Sequence, residues 1–180
     1  MSDGVYGGVL YQGAASLSPV PSTSPLAGLP GKVQRKLVDA FIEVYAILIS
    51  EMRLFGTAHQ SASGPNQYSD HELFGDLYEA AQAEIEGAIE HVTAYIGTGF
   101  AMSQQVSSMA LMWFERWRLA SGGDWPRASL LAEQDLRKTI GQAFTVLRDS
   151  GTAVAGVESW LQGLIESHDL VLFHLQQRSA

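Results

Sequence analysis

The sequence contains no cysteine. Disulfides and thiolate metal sites are therefore excluded, and any metal ion must be held by nitrogen and oxygen donors. Basic residues are scarce, with eleven Lys and Arg against nineteen Asp and Glu and a net charge of −8. Such a balance argues against a broad basic surface for DNA. No apolar run reaches the roughly 18 residues needed to span a membrane. The first thirty residues have neither the basic start nor the apolar stretch of a signal peptide. A soluble cytoplasmic protein with no membrane partner is the expectation. Convincing strand alternation is missing as well.

A chain of 180 residues, 46% of them hydrophobic, suits one domain with a real core. Residues 1–31 form a separate zone rich in Gly, Ser and Pro. Pro19, Pro21, Pro25 and Pro30 lack backbone donors and bias their neighbours away from helix. This zone reads as a flexible N-terminal arm. Tyr6, Val9, Leu10 and Tyr11 equip it to pack on a neighbouring subunit, and a free terminus is the equal alternative.

Residues 32–180 read as helices. A first long helix starts near Gly31 and runs to about Thr57, with Leu37, Phe41, Tyr45, Leu48, Met52 and Phe55 on one face. Gly64-Pro65 marks a turn, and Asp70 is an N-cap candidate for a second long helix that ends at Gly97 or Gly99. A shorter helix carries Val106, Trp113 and Trp117. A third long helix starts at Asp124 to Pro126 and stops at Ser150-Gly151, and a fourth covers about Ala153 to Gln177. The expected fold class is all-α, a ferritin-like four-helix bundle with a short helix in the connection between the second and third long helices. The tryptophans Trp113, Trp117, Trp125 and Trp160 are expected in cores and interfaces.

One constellation stands out around the second helix. His59 and His71 flank the turn, and Glu86 and Glu90 follow on the helix. Residues four apart lie on one side, roughly 6 Å along the axis, so both carboxylates can aim at one point. Fe(II) accepts imidazole and carboxylate together, and carboxylates favour the Fe(III) product. Read by themselves, His59 and His71 also fit ordinary loop and helix-end histidines, and Glu86 and Glu90 a solvated face with Asp76, Glu79 and Glu84. Glu166, His168 and Asp169 form a lesser candidate site, read first as polar-face residues. His91 and His174 rank lower still. No helix carries the Glu-x-x-His signature of an in-bundle di-iron centre, and Glu51 and Arg53 are left without a role.

His59 before Gly64-Pro65, then His71-Glu72-Leu73-Phe74, Tyr78, Glu86 and Glu90, resembles the Dps miniferritins. The stretch LIESHDLVLFHL, residues 164–175, is similar to that family's ending. The resemblance covers roughly residues 33–177. It implies a homo-oligomeric shell of twelve subunits around a hollow interior, in which ferroxidase activity turns Fe(II) into stored ferric mineral. His59 and His71 would face Glu86 and Glu90 of the partner subunit around a di-iron site. Two electrons would pass to one hydrogen peroxide, or to oxygen. The sequence differs from the family pattern at Glu86, where Asp is usual, at Gly75, where an Asp is common, and at Gln60, where Trp is usual. The differences at Gly75 and Glu86 motivate the alternative of a structural shell with weak or no ferroxidase activity. DNA protection ranks third, since Lys32, Arg35 and Lys36 are the only early basic cluster.

Overall fold

The computed structural model describes residues 20–98, 104–151 and 154–178. The described chain is all-α. It forms α1 (Gly31–Ser61), α2 (Gln67–Ile96), α3 (Gln104–Ala120), α4 (Trp125–Asp149) and α5 (Ala155–Arg178). No strand occurs among the described residues. The α1 stripe continues past Phe55 through buried Ala58 before the chain turns at Gly64, whose φ of 81° needs glycine. The second helix begins at Gln67, a turn before Asp70. Asp70 therefore does not cap it and instead accepts a 2.6 Å hydrogen bond from Arg178 at the end of α5. The start of α4 is as expected. Asp124 accepts a 2.9 Å hydrogen bond from the Arg127 amide, and Pro126 sits in the first turn.

Two contact clusters fix the directions of the helices. At one end, Phe55 and Ala58 of α1 pack with Phe74 near the start of α2, Leu175 near the end of α5, and Trp125 at the start of α4. At the other end, Phe41 near the start of α1 meets Tyr95 at the end of α2 and Trp160 near the start of α5. It follows that α1 and α5 run one way, and α2 and α4 the other. Two parallel helices cannot be joined by a tight turn. The 17-residue α3, about 25 Å long at 1.5 Å per residue, carries the chain back along the outside of the bundle.

Packing is close between α1 and each of α2, α3 and α4, and between α4 and each of α3 and α5. A wider seam separates α2 from α5, crossed by side chains such as Tyr95, whose hydroxyl donates to the Gly156 carbonyl at 3.1 Å. The core is mostly aliphatic, with Ile47, Leu48, Val92, Leu136, Ile140 and Leu161 wholly or almost wholly shielded. Trp113, Trp117 and Trp160 are buried, as expected of core aromatics. Ser50 pins α3 to α1 by donating to the Ala110 carbonyl at 2.6 Å. Trp117 pins α3 to α4 through Asp135 at 3.0 Å.

Tyr6, Val9, Leu10 and Tyr11 of the expected arm lie outside the described residues. The last part of the 1–31 zone is folded onto the bundle. Leu26 is fully buried, Ser24 donates to the Tyr95 carbonyl at 2.6 Å, and Gln34 donates to the carbonyls of Leu26 and Leu29. Leu26 thus belongs to the core rather than to a tail. Leu26→Ala should cost about 2–5 kcal/mol in denaturant unfolding, whereas an exposed position would change stability by less than about 0.5 kcal/mol.

Candidate metal centre

Each of the four long helices sends one titratable side chain to the same place in the interior. They are Glu51 from α1, Glu84 from α2, Glu133 from α4 and His168 from α5. Three occupy positions that apolar periodicity reserves for the core. Glu51 stands between Leu48 and Leu54, Glu133 between Ser129 and Leu136, and His168 one turn beyond Leu164. Glu51 and Glu133 are completely buried and His168 is 5% exposed. Ligand atoms of these three lie within 4.8 Å of one another. Glu84 closes the group from the α2 side.

His168 is clamped between two carboxylates. Nδ1 lies 2.8 Å from Glu133 Oε2 and Nε2 lies 2.7 Å from Glu84 Oε2. A carboxylate accepts, so a proton on each ring nitrogen satisfies both contacts and makes the ring a cation. Burial opposes that charge, but the hydrogen bonds to Glu133 and Glu84 outweigh it and push the His168 pKa up to about 11. Glu133 is raised by burial, with the bond to His168 working in the other direction. Glu51 is raised well above the ordinary carboxylate range, by burial first and then by the charge of Glu133.

Both Glu51 oxygens and Glu133 Oε1 have no hydrogen-bond partner although fully shielded from water. Leaving a buried acceptor unpaired costs about 1–3 kcal/mol, and more for a charged one. Two carboxylates and an imidazole are a donor set for a divalent ion such as Fe(II), Mn(II) or Zn(II). An ion with bonds of roughly 2.0–2.2 Å would draw the three inward and satisfy the orphan oxygens together. The group can therefore hold a metal ion.

The sequence pointed elsewhere. His168 is not a polar-face residue beside Glu166 and Asp169 but a buried one. Its ring faces the core, while Glu166 bonds Gln162 and Asp169 pairs with Arg137 on the outside. Glu-x-x-His is absent from the sequence, yet an in-bundle cluster exists because four helices contribute one ligand each. A detectable signal was present in the form of ionisable residues at core positions of apolar stripes, Glu51 above all.

The structure brings His59 and His71 together, with ring centroids 3.8 Å apart. His59 Nδ1 lies 2.8 Å from the His71 carbonyl. That oxygen can only accept, so Nδ1 carries a proton, and in the neutral ring Nε2 is the nitrogen with the lone pair. Gly75 leaves room for the contact, because a Cβ there would stand 3.0 Å from His59 Nδ1 and the ring would have to give way slightly. Glu86 and Glu90 are exposed on α2. Glu86 is fifteen residues beyond His71, about 22 Å along the helix, so these acids do not meet the histidine pair within one chain. Among the described residues, Glu51, Glu133 and His168 are the only group of three such ligands drawn together.

Raised pKa values at Glu51, Glu133 and His168 mean that the folded chain binds more protons than the unfolded one. Their stabilisation is complete below the unfolded values, 4.5 for the carboxyls and 6.5 for the imidazole. It is lost as the pH rises through the folded values. Metal-free protein should therefore lose thermal stability as the pH climbs from about 6 to about 10. Glu51→Gln, which keeps the shape and removes one titrating carboxyl, should flatten that slope. At about pH 8 it should raise Tm, by about 2–4 °C for each kcal/mol gained.

No family model and no curated protein matches the sequence, so the donors and their surroundings carry the functional reading.

Proposed function

We propose that the chain is a ferritin-like four-helix bundle that binds Fe(II) as substrate inside the bundle and oxidises it. Glu51, Glu133 and His168 would be the ligands, with Glu84 of α2 held against the His168 imidazole. The observation that carries this reading is the pair of orphan, fully buried oxygens on Glu51, next to an imidazole already held by two carboxylates. Helix directions support it as well, since a crossover joining two parallel helices is the ferritin-like arrangement. Bound Fe(II) would replace the protons that the metal-free centre holds on Glu51 and His168. Carboxylate donors stabilise the higher charge of Fe(III), which favours loss of one electron per iron, so that two Fe(II) with two protons reduce one hydrogen peroxide to two waters. The chain's own part is to fix the donors on four packed helices and to keep bulk water away.

A second reading is favoured by the His59–His71 contact. In it, His59 and His71 would face Glu86 and Glu90 of the partner subunit in a twelve-subunit shell, as in the Dps miniferritins. The free Nε2 lone pair of His59 suits a ligand, and both histidines lie at the surface, where a second subunit can reach them.

Anaerobic Co(II) titration, followed by Fe(II) oxidation with hydrogen peroxide, separates the two. On the in-bundle reading, Glu51→Gln and His168→Ala weaken Co(II) binding by at least about 100-fold, beyond the 10–100-fold typical of changes behind the ligands, and oxidation slows in step. On the inter-subunit reading, His59→Ala with Glu90→Ala removes oxidation and Glu51→Gln leaves it intact. Mass measurement of the native particle checks the shell. Co(II) binding unaltered in Glu51→Gln would sink the first reading.

A further inference from the structure

Glu51 and Glu133 have no exposed surface and His168 almost none. A cation that reaches them must cross one wall of the bundle. We infer that it crosses the seam between α2 and α5, and that Glu84 receives it at the inner end. This inference rests on the metal-binding reading above and adds the way in and the receiving residue.

The walls are unequal. Helix α1 packs closely on α2 and α4, α3 covers the outer side of α1 and α4, and α4 packs closely on α5. Only the α2–α5 side is held apart. A groove of about 680 Å3 runs along it, lined by Gly87 and His91 of α2 and by Gly156, Trp160, Gly163 and Ser167 of α5, with Glu84 among its walls. A Cβ added at Gly87 or Gly163 would meet nothing within 4 Å, so the groove is open at both positions and has room for larger side chains. A strip of side chains on either helix would fill that space.

Glu84 touches both sides of this boundary. Its side chain is 21% exposed, against 6% for His168 and none for Glu133. One oxygen contacts His168 Nε2 at 2.7 Å, and the other accepts from Ser167 Oγ at 2.9 Å on the groove side. An incoming hydrated cation meets a carboxylate first, which suits an ion that sheds its water in steps. Glu84 then exchanges its imidazole contact for the cation, and the orphan oxygens of Glu51 and Glu133 lie just beyond. Glu84 is thus a receiving and positioning residue, while Glu51 completes the coordination.

Stopped-flow Co(II) binding to the full chain tests the route. Gly163→Leu and Gly87→Leu place side chains in the groove, and Gly141→Leu on an exposed face of α4 is the control. Both groove variants should bind at least about ten-fold more slowly, as expected when the protein must move before the ion can pass. Their final Co(II) absorbance should equal that of the wild type, and the control should bind at the wild-type rate. Glu84→Gln should slow binding, where Glu51→Gln removes it. A wild-type rate in either groove variant that retains the wild-type circular dichroism spectrum would overturn the route while leaving the centre standing. A wild-type chain that shows no Co(II) spectrum would overturn the centre, and the route with it.

Discussion

Keeping Glu51 dry is the constraint around which the interior is arranged. A carboxylate with no partner in a low-dielectric core is tolerated only if it is neutral or meets a counter-charge. Here burial favours the protonated form of Glu51, and the imidazole of His168 is shared between Glu133 and Glu84. The imidazole thereby ties α5 to α4 on one side and to α2 on the other, at the level where α1 presents Glu51. A core of leucines at these positions would hold the helices together with less cost. An arrangement so unfavourable for folding alone suits the proposed ligand, since a divalent ion would displace the proton and satisfy the orphan oxygens together.

The same centre depends on helix direction. With α2 and α4 parallel, all neighbours around the square α1–α2–α5–α4 are antiparallel, and the return journey falls to α3. That helix is fastened by Ser50 to α1 and by Trp117 to α4, so it also thickens the wall that they share. One side is left without such a cover. The α2–α5 seam is bridged by polar contacts from Tyr95, Glu84 and Arg178 rather than by close backbone packing, which explains why the groove lies there.

Much of the fold was legible in the sequence. Apolar stripes at three- and four-residue spacing gave the long helices, and Gly64, Asp124-Pro126 and Gly151 gave their ends. Residues near Leu26 were harder. Proline-rich composition reads as an arm, and only the tertiary fold shows Leu26 and Leu29 reaching the core between turns. Asp70 misled because it has the chemistry of a cap, while its partner, Arg178, is 108 residues away. The centre was the least legible part. Its side chains are spread over 118 positions from Glu51 to His168 with no short motif, so spacing within one helix does not reveal them. Gly75 illustrates the converse case. As a sequence feature it is a missing acid, and in the structure it is the space that His59 occupies.

Helix direction has a consequence for the two ends of the bundle. Helix α1 begins at Gly31, beside the end of α2 and the start of α5, and α5 finishes at Arg178, beside Asp70 at the opposite pole. With α1 spanning about 45 Å at 1.5 Å per residue, a peptide placed ahead of α1 and one placed behind α5 would emerge from opposite poles. Fluorophores attached at these two places would act as a ruler along the bundle axis. A chain that exchanged α5 with a neighbouring copy would change their separation, even though its helix content stayed the same.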